Sequence, residues 1–380
     1  MNKKIFINGS SSKLGGGKQI LFSLTEKIFE FGNDANLEYV ILVPDKKAFQ
    51  NIKSKKITFI SLPSFINKSV FVPLLSVFTI PYLIKKHKCN ILFNLGDIPI
   101  KSSCKQIMLF DWPYAIYDDE KVWQLMSNKE FFLRKIKLFI FKILLSNVNL
   151  MLAQTDVAKN RLKKFYNLQS IQIFPNSVAL DHFKSQKSLN IDRLTDKFSL
   201  LCLSAYYTHK NLEIFLELGK LMKKNKVEAE IFLTIDSSQS SRANKLLNNI
   251  KKSNLEGYIT NLGSIKLKDV PSLYRSVDGL ILPTLLESFS GTYVEAMWNK
   301  KIILTSNKDF AEVICGENAY YFDPLDVDDI YSKIVQSFSD THTTQEMIDK
   351  AFTGVNDRPN WEQIYFFMIN LFKEEDATKL

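Results

Sequence analysis

Cysteine and histidine are scarce in this sequence, with four of each in 380 residues. Cys89, Cys104, Cys202 and Cys315 lie far apart, form no C-x-x-C pair and have no cluster of histidines among them. Structural zinc sites and disulfide frameworks both depend on closely spaced ligands or paired cysteines. We therefore expect neither, and the sparse cysteines fit a reducing cytoplasm.

Long apolar runs are also missing. The most membrane-like stretch, "VFVPLLSVFTIPYLI" at 70–84, is interrupted by Pro73 and Pro81. It is shorter than the roughly 18–20 apolar residues that a membrane span needs. The opening "MNKKIFINGSSS" has too short an apolar run for the core of a signal peptide. We expect a cytoplasmic protein with no membrane span and no signal peptide.

The chain carries a net charge of +10 and is 46% hydrophobic. A length of 380 residues predicts two to three domains at about 150 residues each. A basic balance fits nucleic acid, an anionic membrane surface or anionic substrates, and a compositional bias toward lysine is the alternative. No concentrated basic patch with interleaved aromatics is present, so nucleic acid is not expected as a partner.

Short, nearly continuous apolar runs alternate with longer amphipathic ones along the chain. Such runs are typical of strands buried on both faces, and their alternation with helices predicts parallel, doubly wound sheets. The polar stretch 174–197 interrupts this pattern, which restarts at "FSLLCLSAY". The predicted fold class is α/β with two Rossmann-like domains. The predicted boundaries are a first domain at 1–178, a linker at 179–197, a second domain at 198–355 and a terminal helix at 356–380 returning to the first domain.

The segment "ESFSGTYVEAM" at 287–297 places two glutamates around small, hydrogen-bonding residues. The preceding "DGLILPT" has the pattern of a strand, so Glu287 should lie past its carboxyl end, where ligands bind in such sheets. From Thr292 the pattern predicts a helix with Glu295 in its first turn, and helix N-termini bind phosphate. The two carboxylates would accept hydrogen bonds from sugar hydroxyls. Alternatively, Glu295 only complements the helix dipole and Glu287 is a solvated loop residue.

The segment "LPTLLESFSGTYVEAM" resembles the E-x7-E segment of the retaining glycosyltransferases of family 4, the group 1 glycosyltransferases. Further segments agree with that family in the same order. These are "IFPNSVALDHF", "LSAYYTHKNLEIFLELGKL", "NLGSIKLKDVPSLYRSVDGLILPT" and "TSNKDFAEVICGENAYYFDP". The resemblance covers most of residues 150–325 and implies the GT-B fold, in which two Rossmann-like domains face a central cleft.

By this resemblance, Glu287 contacts the donor sugar, Glu295 the nucleotide ribose and Lys210 the diphosphate. The residues between the glutamates approach the sugar and phosphates; they are Ser288, Phe289, Ser290, Gly291 and Thr292. Relatives often carry Gly-Arg shortly before the lysine, where this chain has Ser204 and Ala205. His209 is therefore a candidate phosphate contact, and a plain loop histidine is the alternative.

The segment "SSSKLGGGKQILF" at 10–22 matches neither the P-loop nor the dinucleotide fingerprint. It resembles the family's amino-terminal Gly-Gly loop, which implies donor contacts by Gly16 and Gly17; a helix-starting turn is the alternative. In "QIMLFDWPY", Asp111 matches the aspartate of the family's His-Asp pair, and Phe110 replaces the histidine. Asp111 either orients the acceptor hydroxyl or caps a turn.

For retaining members the resemblance implies a front-face displacement in which the leaving phosphate helps to deprotonate the acceptor. No protein nucleophile is then required. The candidate catalytic residues are Glu287, Asp111 and Lys210. The acidic stretch 326–329 is better explained as a helix start than as a metal site. No metal and no cofactor are expected. The expected activity is a hexosyl-type transfer from a nucleotide sugar.

The acceptor is expected to be a carbohydrate or a lipid-linked oligosaccharide in the assembly of capsule or lipopolysaccharide. The basic, apolar helix predicted at 129–148 either lies on an anionic membrane, at the inner face of the plasma membrane, or is a core helix with lysines outside. A sugar-nucleotide epimerase, a nicotinamide oxidoreductase and a non-catalytic binding module are the rival hypotheses.

Overall fold

The computed structural model describes residues 3–13, 15–32, 36–63, 71–117, 121–178 and 193–374. Within these, the chain forms two compact units. The first domain takes its residues from 1–118, 126–179 and 359–380, and the second from 119–125 and 180–358. Most of the predicted linker at 179–197 lies outside the described residues.

The first domain is built on a seven-stranded sheet in which every pairing is parallel, with strand order β3-β2-β1-β4-β5-β6-β7. Its strands are β1 (Lys3–Asn8), β2 (Leu37–Leu42), β3 (Ile57–Ile60), β4 (Ile91–Asn94), β5 (Lys105–Leu109), β6 (Leu150–Ala153) and β7 (Ile171–Ile173). Its helices are Gly15–Phe31, Val72–Leu74, Leu75–Thr79 (a π-helix), Ile80–Lys86, Asn128–Leu144, Asp156–Tyr166 and Trp361–Lys373.

The helix Trp361–Lys373 belongs to the core of the first domain although it follows the second domain in sequence. Ile364, Met368 and Phe372 are buried against the helix Gly15–Phe31 and the odd-numbered side chains of β1. A spacing of four residues puts these three side chains on one face of the helix. Asn360 and Gln363 form a reciprocal capping box, which fixes where the helix begins.

The second domain has a six-stranded parallel sheet with strand order β10-β9-β8-β11-β12-β13. Its strands are β8 (Phe198–Cys202), β9 (Ala229–Leu233), β10 (Ile259–Asn261), β11 (Gly279–Leu282), β12 (Ile302–Ser306) and β13 (Tyr320–Phe322). Its helices are Ile214–Lys224, Ser241–Lys252, Val270–Arg275, Gly291–Trp298, Asp309–Cys315, Val327–Ser339 and Thr341–Asn356. The two doubly wound α/β domains predicted from the sequence are confirmed.

Both sheets reverse their direction of winding once. In the first domain the reversal lies between β1 and β4, and in the second between β8 and β11. Ligands of open α/β sheets bind past the carboxyl ends of the strands at such a switch point. The loops after β8 and β11 contain Lys210 and Glu287 respectively, so the second switch point coincides with the predicted donor residues.

Three details differ from the sequence-based expectation. The helix Thr341–Asn356 has weak sequence signals and was not predicted, and it packs against Gly291–Trp298. The short helix Lys121–Leu125 belongs to the second domain although it lies within the predicted first one. The helix after β1 begins at Gly15, so the glycines form its first turn rather than a preceding loop. In the part of the chain that the structure describes, no helix is long and apolar enough to cross a bilayer.

Candidate functional site

Lys210 and Glu287 form an ion pair past the carboxyl ends of β8 and β11. Their side chains are only 15% and 12% exposed, so the pair is largely removed from solvent. The two loops are joined by a hydrogen bond from Leu285 N–H to the His209 carbonyl oxygen, with an N···O distance of 2.7 Å. Asn211 adopts the left-handed conformation, and its side-chain amide donates to the Pro324 carbonyl at 2.6 Å. These bonds hold the lysine over the switch point.

Glu295 lies in the helix Gly291–Trp298, which begins one residue earlier than predicted. The carboxylate is therefore in the second turn, and the expectation of a first-turn position is wrong. The Tyr274 hydroxyl lies 3.2 Å from Glu295 Oε2 and also 3.2 Å from the Thr292 carbonyl oxygen. Burial raises the pKa of the Glu295 carboxyl to about 7, against the opposing effect of the Tyr274 hydrogen bond.

The N-terminus of this helix directly follows the loop that carries Glu287. Ser290 occupies the N-cap position, and its side chain does not cap the helix. Its hydroxyl instead lies 2.8 Å from the Thr292 hydroxyl. The first N–H groups of a helix have no partner within the helix and favour an anion. Ser288 and Ser290 are buried, so small side chains line the approach to these groups.

Positive charge beyond Lys210 comes from residues that sequence reasoning did not single out. The Arg358 guanidinium lies 5.9 Å from the centre of the Phe289 ring, and burial lowers the pKa of Arg358. A small cavity beside Leu285 has two lysines in its wall, Lys121 and Lys308. By contrast, the Ser204 hydroxyl donates to the Ala205 carbonyl at 2.8 Å, so these two positions bring no charge.

His209 lies directly before Lys210 in the short helix Thr208–Lys210. Its ring stacks on the exposed Tyr207 ring, with centroids 5.5 Å apart and an angle of 15° between the planes. The neighbouring Glu213 is held by the Tyr206 hydroxyl and by Arg242, the latter at 2.6 Å. This places the histidine at the edge of the charged site, while the role of the ring stays a prediction.

The predicted residues of the first domain gather past the strand ends of its own sheet. Asp111 Oδ1 accepts a hydrogen bond from the Gln154 side-chain amide at 2.9 Å, and Gln154 in turn accepts one from Asn176. A Cβ added at Gly17 would lie 3.7 Å from Ser12 Oγ and 3.9 Å from Asp111 Oδ2. The structure therefore brings Gly17 close to Asp111. Ser12 Oγ and Asn176 Oδ1 are buried without a hydrogen-bond partner among the described residues.

The acidic stretch 326–329 is a helix start, as predicted. Asp326 accepts hydrogen bonds from the backbone N–H groups of Asp328 and Asp329, at 2.9 and 3.1 Å, and so caps the helix Val327–Ser339. Within the described ranges, no three His, Cys, Asp or Glu side chains are grouped so that they could hold a metal ion. Whether a metal takes part stays a prediction from the resemblance.

Residues 184–353 match the sequence model of a family described as "Glycosyl transferases group 1". Among curated proteins, mannosylfructose-phosphate synthase of Agrobacterium fabrum is 21% identical over 210 residues, which are 52% of this chain and 46% of that protein. O-antigen chain mannosyltransferase B of Escherichia coli is 27% identical over 124 residues, 33% of this chain and 32% of that protein. The chain thus spans less than half the length of the curated relatives that it matches.

Solved structures resemble the whole chain. Sucrose-phosphate synthase from Thermosynechococcus elongatus has a TM-score of 0.76 and 14% identity, covering 98% of both chains. A glycosyltransferase from Rickettsia africae has a TM-score of 0.70 and 16% identity, covering 100% of this chain and 99% of that one. At such identities the likeness establishes the fold. The GT-B fold is confirmed, and so is the predicted resemblance to the group 1 glycosyltransferases.

Proposed function

We propose that this chain moves a sugar from a nucleotide-diphosphate donor to an acceptor hydroxyl, with retention of the anomeric configuration. The observation that carries the proposal is the ion pair of Lys210 with Glu287 at the switch point of the second sheet. A largely buried cation beside a helix N-terminus suits a diphosphate, and a largely buried carboxylate beside it suits sugar hydroxyls.

In this account Lys210 turns from Glu287 to the diphosphate when the donor binds. The ammonium group would stabilise the charge that grows on the departing diphosphate, an electrostatic contribution of the preorganised kind. Glu287 then becomes free to accept hydrogen bonds from the sugar. The ion pair supports this exchange, because each of the two charges already has a partner that a group of the donor can replace.

Glu295 is proposed to accept hydrogen bonds from the ribose hydroxyls. Its raised pKa means that donor binding would favour the ionised form, since a carboxylate accepts stronger hydrogen bonds than a carboxylic acid. The Tyr274 hydroxyl holds one oxygen, Oε2, and orients the group. The N–H groups and hydroxyls from Ser288 to Thr292 would contact the sugar and phosphates.

Four further residues are assigned roles, Gly16, Gly17, Asp111 and His209. Gly16 and Gly17 take part in donor binding, where the absence of a side chain permits close approach of the backbone. Asp111 orients the acceptor hydroxyl. His209 contributes to phosphate binding beside Lys210. No protein nucleophile and no metal are invoked, because the leaving phosphate takes the acceptor proton in a front-face displacement.

The acceptor is proposed to be a carbohydrate or a lipid-linked oligosaccharide in cell-surface polysaccharide assembly. A sugar-transferring enzyme of O-antigen chains is among the relatives, and one structure of the same fold is WaaG, "a glycosyltransferase involved in lipopolysaccharide biosynthesis". We place the protein in the cytoplasm, with peripheral contact at the inner face of the plasma membrane. Solved structures of the fold with UDP and UDP-glucose favour a nucleotide sugar as donor.

The test is a transfer assay with donors labelled in the sugar. The purified protein is incubated with each of the common UDP-, GDP-, dTDP- and ADP-sugars and with membrane extracts as acceptor. One donor should give a labelled product whose anomeric linkage matches that of the donor. Binding of nucleotides without any turnover would favour the rival binding module, and an inverted linkage would reject retention.

A further inference from the structure

Exposed apolar side chains are concentrated on one part of the first domain. More than half of the large apolar side chains that are exposed in the described residues belong to the helical run 71–86 or to the helix Asn128–Leu144. In the first they are Phe71, Leu74, Phe78 and Tyr82, and in the second Phe131, Phe132, Leu133, Ile136, Phe139 and Ile143. Phe78, Tyr82, Phe132 and Phe139 are each more than 60% exposed.

These side chains form two stripes. Phe132, Ile136, Phe139 and Ile143 follow one another at intervals of four, three and four residues, which places them on one face of a helix. In the other run, Phe71, Leu74, Phe78 and Tyr82 follow at three, four and four. An ordinary surface helix turns such a stripe toward the core. Here the buried stripes are separate sets, for example Leu138, Phe141 and Leu144 in the second helix.

Both helices cover the same face of the sheet. Phe6, Leu92 and Gln106 lie opposite one another in the register of β1, β4 and β5, so their side chains share a face. The first run packs on this face, because Leu75, Ile80 and Ile84 join one buried cluster with Phe6 and Leu92. The second helix packs there too, since Phe141 contacts Phe110, which continues the even-numbered side of β5, at 6.2 Å between ring centres.

Charge around the stripes has one predominant sign. From Phe71 to Asn90 the sequence contains no Asp or Glu, and Lys85 and Lys86 directly follow the apolar stripe. The helix Asn128–Leu144 has one acidic residue, Glu130, which is paired with Arg134 at 2.8 Å. At 100° per residue, Lys129 falls on one side of its apolar stripe and Lys135 on the other. Lysines that flank an apolar stripe can extend their ammonium groups to lipid phosphates while the stem stays in apolar surroundings.

We propose that this two-helix surface, formed by the outer stripes of 71–86 and Asn128–Leu144, lies on an anionic lipid bilayer. Aromatic side chains would enter the headgroup boundary, and the lysines would face lipid phosphates. The surface combines both helices, whereas the sequence pattern indicates membrane contact for residues 129–148 only. It deepens the proposed function by placing a lipid-linked acceptor on the same surface as the enzyme, but lipid binding itself does not depend on sugar transfer.

The experiment is co-sedimentation with vesicles of phosphatidylcholine and with vesicles that contain an equal part of phosphatidylglycerol. The wild type should bind the anionic vesicles and bind neutral ones far less. The double variant Phe132→Ser/Phe139→Ser should lose binding by about tenfold or more, because two deeply inserted aromatic groups are removed. The matched control is Phe29→Ser/Phe366→Ser, since both of these side chains are about half exposed on helices of the opposite sheet face.

The charge contribution has its own pair of variants. Lys85→Gln/Lys86→Gln should weaken binding to the anionic vesicles by about tenfold at low salt. The control is Lys251→Gln/Lys252→Gln, which likewise removes an adjacent, exposed lysine pair from the last turn of a helix, in the second domain. If Lys251→Gln/Lys252→Gln weakened binding equally, the loss would reflect the lower net charge of the protein and not the position of the lysines. The assignment of lipid binding to the two-helix surface would then be overturned.

Two further kinds of result would reject the proposal. One is a wild type that does not bind anionic vesicles, or variants of the surface that bind as well as their controls. The other is a dimer in sedimentation velocity without lipid that the Phe132→Ser/Phe139→Ser variant dissociates, because the surface would then bind a second copy of the chain. Nucleotide binding and circular dichroism of the same variants show whether they are folded, so a failure here is separable from a failure of the proposed activity.

Discussion

The strand ends of the two domains carry different chemistry. At the second domain's switch point lie ionisable side chains, Lys210, Glu287 and Glu295, with a helix N-terminus beside them. At the first domain's switch point β1 and β4 end in neutral amides, and the Asn8 side chain donates to Asn94 Oδ1 at 2.8 Å. The loop after β4 also contains Asp97, which is paired with Lys137. The first domain therefore combines neutral amides with the carboxylates of Asp97 and Asp111 at its strand ends, whereas the second combines the Lys210–Glu287 ion pair with a helix N-terminus.

This difference bears on which of the two domains binds the donor and which recognises the acceptor. A diphosphate favours positive charge and helix N–H groups, and the second edge supplies both in Lys210 and the N-terminus of the helix Gly291–Trp298. Sugar hydroxyls need hydrogen-bond acceptors and donors, and the first edge supplies Gln154, Asn176 and Ser12 near the carboxylate of Asp111. The proposed function accordingly gives donor binding chiefly to the second domain and recognition of the acceptor to the first.

The largest effect is expected for Lys210→Ala. Removal of the cation that faces the departing diphosphate should lower transfer by about 10²–10³-fold, as the loss of one preorganised charge-stabilising group does in other enzymes. The assay is the release of nucleoside diphosphate in the presence of acceptor. Lys224→Ala, which removes an exposed lysine of the same domain, should leave the rate unchanged.

The same substitution also leaves Glu287 largely buried without its cation, which should lower the melting temperature. Adding Glu287→Gln to Lys210→Ala removes the unpaired charge, so we expect the double variant to regain stability without regaining activity. Recovery of activity in the double variant would contradict the catalytic role of Lys210. It would mean that Lys210 only stabilises the fold.

A smaller effect is expected for nucleotide affinity in Glu295→Gln. Hydrogen bonds to a carboxylate contribute about 1.5–3 kcal/mol, so the variant should bind the nucleoside diphosphate about 10- to 100-fold more weakly. In the wild type, affinity should rise as pH increases from about 6 to 8, because the carboxyl with pKa about 7 becomes ionised over this range. The rise should be absent from the variant. Glu317→Gln, an exposed glutamate of the same domain, is the control.

The raised pKa of Glu295 also predicts a dependence of stability on pH. Burial raises the folded-state pKa from the usual 4.5 to about 7. The contribution of this group is therefore fully present below about pH 4.5 and is lost as pH rises through about 7. Between these limits the free energy of unfolding of the wild type should fall relative to Glu295→Gln, by about 2 kcal/mol. Chemical denaturation at about pH 5 and pH 8 measures the difference, and parallel curves for the two proteins would contradict the burial of the carboxyl.

A substitution of Asp111, in the first domain, should act on the acceptor alone. Asp111→Asn removes the carboxylate that Gln154 holds at that edge, so transfer to acceptor should fall about tenfold while nucleotide affinity stays the same. The measurement is a comparison of acceptor transfer with slow hydrolysis of the donor by water. If Asp111→Asn lowered acceptor transfer and donor hydrolysis equally, Asp111 would not act on the acceptor alone, and the division of donor and acceptor between the two domains would be contradicted.

The smallest effect is expected for Gly17→Ala. The added Cβ would make only ordinary contacts, 3.7 Å to Ser12 Oγ and 3.9 Å to Asp111 Oδ2, so the fold should accept it. Alanine in a helix is favoured over glycine by about 0.5–1 kcal/mol, so the melting temperature should rise slightly. Transfer should nevertheless fall a few fold if a ligand approaches the backbone there. Gly354→Ala, in the helix Thr341–Asn356, should stabilise the protein without any loss of transfer, since a Cβ there meets nothing within 4 Å.

Much of the fold was predictable because a buried parallel strand corresponds to a short apolar run in the sequence. The strands β4 and β11, for example, are buried at every position and appear in the sequence as "ILFN" and "GLIL". The place of Glu287 followed from the same logic, since a residue just after such a strand must lie at the carboxyl edge of the sheet.

The rest depends on contacts between distant residues. Lys210 and Glu287 are 77 positions apart, and local sequence contains no sign that they pair. Tyr274 lies in an ordinary apolar stretch, so its hydrogen bond to Glu295 was missed. The helix Thr341–Asn356 was missed for a related reason, because its packing against Gly291–Trp298 outweighs a weak local preference.

Equilibrium binding of nucleoside diphosphates tests the central claim most directly. Calorimetric titration of UDP, GDP, dTDP and ADP would be performed on the wild type, Lys210→Ala and Asp111→Asn. We predict that the wild type binds one of them, that Lys210→Ala binds it at least about tenfold more weakly and that Asp111→Asn binds it as the wild type does. No binding by the folded wild type, or a loss confined to Asp111→Asn, would contradict the assignment of the donor to the charged edge of the second domain.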